Sequence, residues 1–140
     1  VTPTFVTPTF VTSAGLDHLG TEKGAYILLI TLGLDLKVNI KSLQNPSLSK
    51  GLYLYVGNAN GGGGIKSRLK RHLARNKKVH WHVDHLTTKA EATSAFALPE
   101  QNECDLIKTL SKNNQFTFPL KGFGSSDCSI CTSHLMQYVG

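Results

Sequence analysis

The chain has 140 residues, 40% hydrophobic and 17% charged, enough for one core but short for two, so a single domain is expected. No apolar run approaches the roughly 18 residues that a bilayer span requires, and the beginning lacks the basic-then-apolar pattern of a secretory signal. No membrane partner is expected, and because three cysteines cannot all pair within one chain, a reducing, cytoplasmic setting fits best. The formal net charge of +6 would draw a polyanion without saying anything about fold.

In chain order, the opening VTPTFVTPTFVTS repeats a five-residue unit with a proline in each copy. Residues 1–21 are read as a leader or added extension, outside the fold argument but extended in form if the fold holds them; residues 22–140 are read as the domain. From Gly24, AYILLITL predicts a buried strand, and LKVNI at 36–40 a second, with Gly33 and Asp35 forming the hairpin turn between them. Residues 41–50 read as a loop and GLYLYVG at 51–57 as a third strand, aromatic and β-branched. The expected fold is therefore α/β of the α+β kind, a small three-stranded antiparallel sheet flanked by helices.

Asn58 to Gly64 includes four consecutive glycines, after which Ile65, Leu69 and Leu73 recur at helical spacing to about Arg75. Lys66, Arg68, Lys70, Arg71, Arg75, Lys77 and Lys78 gather seven of the 15 Lys and Arg residues on this helix and its tail. Such a patch is the electrostatic footprint of a phosphate-backbone partner, although a solvated helix face has the same pattern. HWHVDHL at 80–86 is compatible with a strand or with a turn-linked helix. Residues 93–98 suggest a further strand, and Pro99 fits the first turn of a helix running to about Leu110. From Asn113 onward the chain is loop-rich, with GFGSSDC at its centre.

Several side chains could carry chemistry. Tyr53 and Tyr55 are two apart on a strand and share a face, with Tyr26 on the first strand of the same sheet. Arg68 and His72, four apart, share a helix face about 60° from the apolar stripe. An arginine at the edge of a core suits stabilisation of charge on a phosphate in the transition state. Glu103 lies in the second turn of the expected 99–111 helix, and one carboxylate with several waters is a common way to hold Mg²⁺ at a phosphate. Cys128, Cys131 and His134 form a C-x2-C-x2-H cluster which, with Cys104, has the ligand set of a structural Zn²⁺ site; reduced, partly buried thiols would have the same spacing.

Taken together, these pieces resemble the GIY-YIG nuclease superfamily. Gly24-Ala25-Tyr26 stands for the first motif, Tyr55-Val56-Gly57 for the second, IKSRL with Arg68 for the helix, and Glu103 for the acid. The order YVGNA, RLKRHL, HWHVDHL, a Glu-Cys pair and GFGSSDC looks like a stand-alone subfamily. Departures are Ala25 in place of Ile, a wider separation of the two motifs, Asn58 where one branch has Lys, and a late asparagine for which Asn113 and Asn114 are the candidates.

The resemblance implies a DNA endonuclease that hydrolyses phosphodiesters with one Mg²⁺ or Mn²⁺ at Glu103. Arg68 would stabilise the transition state. Tyr55, before Tyr26, would take a proton from water, with His72 the alternative base. Lys66, Lys70, Arg71, Arg75, Lys77, Lys78, His80 and His82 would face the DNA, whose structure or site a partner or dimerisation could target. The alternatives are a nucleic-acid-binding module that does not cut, and a protein-interaction domain built on the cysteine-bearing tail.

Overall fold

The computed structural model describes residues 9–124 and 131–140. Its elements are β1 (Thr9–Val11), β2 (Gly24–Leu32), β3 (Leu36–Lys37), β4 (Ser47–Leu48), β5 (Gly51–Ala59), α1 (Gly64–Leu73), α2 (Asp84–Thr87), β6 (Ala92–Pro99), α3 (Glu103–Ser111), β7 (Phe116–Thr117) and β8 (Leu135–Tyr138). The architecture is α+β, but the sheet has six strands rather than three, in the order β1-β6-β2-β5-β8-β7. Every strand pair is antiparallel.

The predicted hairpin between the first strand and residues 36–40 does not form. β2 pairs along its length with β5, from Gly24 opposite Ala59 to Leu32 opposite Gly51. Its other edge pairs with β6, from Gly24 opposite Pro99 to Thr31 opposite Ala92. With both edges occupied, Leu36 and Lys37 pair instead with Leu48 and Ser47 in a separate two-stranded ribbon. Val38 and Ile40 are still buried in the core, so their apolar pattern reflects packing rather than a sheet partner.

Residues 9–11, inside the segment set aside as a leader, form an edge strand on β6, and Val11 is 2% exposed. At the other end, LMQY, which the sequence left as loop, pairs with β5 as β8.

Alternation along β2 and β5 turns Tyr26, Leu28, Ile30, Tyr53 and Tyr55 into the main core with Ile65, Leu69 and Leu73 of α1. Leu54 and Val56 point to the opposite face, and α3 packs against β2, β5 and β7 with Ile107 buried. α3 begins later than expected. Pro99 remains in β6, and the Asn102 side chain caps the helix by accepting from the amides of Cys104 and Asp105. Glu103 therefore occupies the first helical position, at the end of the sheet where β2 starts and β5 and β6 finish. No helix among the described residues is long and apolar enough to cross a membrane.

Candidate active site

At that end of the sheet lies a polar cleft of about 550 Å³, lined by Tyr26, Tyr55, Gly57, Asn58, Arg68, His80, Trp81, His82, Glu103, Gly124 and His134. β2, β5, α1, the 80–82 turn, α3 and the tail each contribute to it. A second depression of about 500 Å³, lined by Leu32 to Leu36 with Lys89 and Glu91, brings together no comparable set of functional groups.

The tyrosines sit where glycines leave room. A Cβ on Gly57 would lie 2.4 Å from the Tyr26 hydroxyl, and one on Gly124, whose φ is +69°, would lie 2.7 Å from the Tyr55 ring. The Tyr26 hydroxyl shares a 2.7 Å hydrogen bond with His72 Nε2, and both groups are buried. His72 Nδ1 has no partner among the described residues. Burial, reinforced by the charge of Lys77 and of Arg68 and Arg71, lowers the His72 pKa from the usual 6.5 to about 3, so the ring is neutral. Burial likewise pushes the Tyr26 hydroxyl well above its usual 10, with Tyr55 and Glu103 adding to the shift and Arg68 opposing it. Tyr55 is raised for the same leading reason. Tyr53 shares the face but not the cleft, since its hydroxyl donates to the Ser49 carbonyl at 2.6 Å.

Arg68 is held by stacking. Its guanidinium carbon lies 4.3 Å from the centre of the Trp81 ring, and no hydrogen bond from its N–H groups to another described residue is present. The other basic side chains of the patch divide. Arg71 pairs with Asp84 at 2.7 Å, Arg75 donates to the carbonyls of Ala90 and Glu91, and Lys77 donates to the carbonyls of Arg71 and His72 at the end of α1. Lys70 and Lys78 are exposed and Lys66 half-buried. Three of the seven cations thus brace the helix and the segment after it.

HWHVDHL resolves into a turn followed by α2, organised by Asp84. This fully buried carboxylate accepts from the amides of His80 and Trp81 as well as from Arg71. Burial alone would raise its pKa, but those amides with Arg71 and Lys77 outweigh burial and hold it below its usual value. His80 is exposed at the rim. His82 accepts from the Gly124 amide through Nδ1 at 2.9 Å, which puts its own proton on Nε2. Burial, with His85 adding, lowers its pKa.

Glu103 is fixed from two sides. The Asn58 amide donates to Oε1 at 2.8 Å, and Oε2 lies 3.6 Å from His134 Nδ1. Cys104 and Cys131 lie beside it, their sulfurs 2.8 Å apart; Cys128 lies outside the described residues.

Asn58, Trp81, Asp84, Gly124 and the contact of His134 with Glu103 were not anticipated as parts of the site. Asn58 could have been found from its place directly after the YVG motif, and Gly124 from the GFGSSDC run. No curated protein and no solved structure matches the chain. The sequence profile of one family, described as domain of unknown function DUF123, matches residues 25–139, and the chain belongs to that family.

Proposed function

We propose that the chain is a divalent-metal-dependent endonuclease of the GIY-YIG type, hydrolysing DNA phosphodiester bonds in the cleft at the end of the sheet. The observation that carries this reading is the convergence of Tyr26, Tyr55, Arg68 and Glu103 on one polar cleft from four separate elements. The donor set suits a hard cation: a single carboxylate, open to the cleft and anchored by Asn58, leaves most of the coordination shell to waters and substrate phosphate, as Mg²⁺ prefers. Bound at Glu103, Mg²⁺ or Mn²⁺ would polarise the phosphate and offset its charge.

Arg68, stacked and with its N–H donors available, meets the negative charge that grows on the phosphate in the transition state. Tyr26 precedes Tyr55 as the residue facing the attacking water, because Tyr26 alone is hydrogen-bonded to His72. Water gives its proton to the Tyr26 oxygen as the phenol proton passes along that bond to His72 Nε2. An entering phosphate favours this transfer, since its negative charge raises the basicity that burial and the surrounding cations hold down. Lys66, Lys70 and Lys78 supply sequence-independent contacts to the backbone.

The test is a time course on labelled branched, flapped and duplex DNA with Mg²⁺ or Mn²⁺. Glu103→Gln is expected to abolish cleavage while sparing binding. Arg68→Ala is expected to lower turnover by a factor of about 10² to 10³ with little change in affinity. Binding by the wild type without cleavage of any substrate would replace this reading with a non-catalytic nucleic-acid module.

A further inference from the structure

Cys104 follows Glu103 in the first turn of α3, while Cys131 and His134 stand just before β8. Their ligating atoms all lie within 4.8 Å of one another. His134 is 4% exposed. Its Nδ1 faces Glu103 Oε2 at 3.6 Å, and its buried Nε2 has no hydrogen-bond partner among the described residues. A buried imidazole nitrogen without a partner is costly unless it binds something. The Glu103 carboxylate is not part of the cluster, so it remains available to the cleft.

We propose that Cys104, Cys131 and His134 bind a thiophilic divalent metal, zinc before others, with His134 ligating through Nε2 and directing Nδ1–H at the Glu103 carboxylate. Two sulfurs and an imidazole are a zinc donor set, not one for Mg²⁺. A metal-bound histidine commonly donates its other ring N–H to a carboxylate, and the 3.6 Å approach to Glu103 supplies that carboxylate. Zinc–sulfur bonds of about 2.3 Å hold two thiolates about 3.8 Å apart, so the sulfurs, now at 2.8 Å, separate on loading. Each thiol releases its proton to solvent as its sulfur binds, which makes loading stronger at higher pH. A fourth donor completes the tetrahedron. The metal would pin the first turn of α3 to the start of β8 and fix the rotamer of Glu103 from the side opposite Asn58.

This inference does not rest on the nuclease reading, and its readout is spectroscopic. Untagged full-length protein, purified under reductant, is expected to retain about one zinc per chain. Titration of the stripped protein with Co²⁺ should give the near-ultraviolet thiolate-to-cobalt band and the intense visible bands of a tetrahedral site. Cys131→Ser and His134→Ala should each weaken cobalt binding at least about tenfold, and Glu103→Gln should keep the thiolate band. Folded, reduced wild-type protein with neither zinc nor a cobalt–thiolate band would overturn the proposal, as would a Cys104–Cys131 disulfide in the unreduced mass. Loss of the thiolate band in Glu103→Gln would overturn the ligand assignment. Should the cysteine and histidine variants fail to fold, the wild-type titration decides alone. An absence of DNA cleavage alongside a clear cobalt–thiolate band would sink the nuclease reading and leave the metal site standing.

Discussion

At the scale of single residues, the cleft is defined by what has been taken out of water. His72 is the clearest case, because burial among Lys77, Arg68 and Arg71 leaves it neutral, with its pKa lowered from 6.5 to about 3. Between those values the unfolded chain carries a proton on this ring that the folded protein does not. Stability therefore rises with pH across that window, is complete above 6.5, and falls by at most about 1.4 kcal/mol per pH unit on acidification. Urea midpoints at pH 7 and pH 5 check this: the wild type should lose up to about 2 kcal/mol more than His72→Gln over that interval, and equal losses would remove His72 from the acid sensitivity. The five residues expected from sequence, Tyr26, Tyr55, Arg68, His72 and Glu103, do meet in space: the first four lie on elements whose faces were readable from their periods, whereas Glu103 was singled out by the order of the motifs. The hold on them was not readable. Asn58 and Gly124 stand in motifs that mark them as candidates, but the partners they and Trp81 take, Asn58 on Glu103, Gly124 beside Tyr55 and Trp81 under Arg68, are set only by the folded sheet.

At the scale of elements, β2, β5, β6 and α1 were legible because their apolar runs and periods are long enough to specify burial. The helix after β6 was misplaced at its start because Pro99 fits a first helical turn as well as a strand end, and the Asn102 cap decides between them. The 80–86 segment had no decisive pattern because a single charge organises it. Asp84, with no exposed side-chain area, gathers the amides of His80 and Trp81, the Arg71 guanidinium and, at 3.9 Å, the Lys77 ammonium. Asp84→Ala takes the acceptor from the amides of His80 and Trp81 and the counter-charge from Arg71 and Lys77, and should cost about 3–5 kcal/mol in denaturant unfolding. Asp84→Asn, which keeps one oxygen, should cost less. Because its pKa is depressed, the stability Asp84 contributes is present above its usual 3.8 and is lost as pH falls below that value. Equal unfolding midpoints for the wild type and the alanine variant would mean that the turn is held by Val83 and Leu86 packing instead.

For the whole molecule, the repeated segment at the beginning of the chain sets how far the sheet extends on the β6 side. Its proline and its repetition argued for setting it aside, yet Thr9, Phe10 and Val11 pair with Ala97, Phe96 and Ala95, and Val11 is buried in the same core as Tyr26 and Leu28. Composition could not reveal this, because a three-residue edge strand is specified by the partner it finds rather than by its own pattern. Because Val11 of β1 is buried in that core, Val11→Ala should cost about 1–3 kcal/mol through a cavity. Removing residues 1–12 should do more than remove that contact: it turns β6 into an edge strand, so the β6 amides should lose hydrogen-exchange protection and the protein should tend to self-associate. The central pairing of β2 with β5, two strands away from the lost edge, should keep its protection, and with it the seats of Tyr26 and Tyr55. Unchanged protection of β6 in the truncated protein would place the segment outside the cooperative fold and confine the stable sheet to its five other strands.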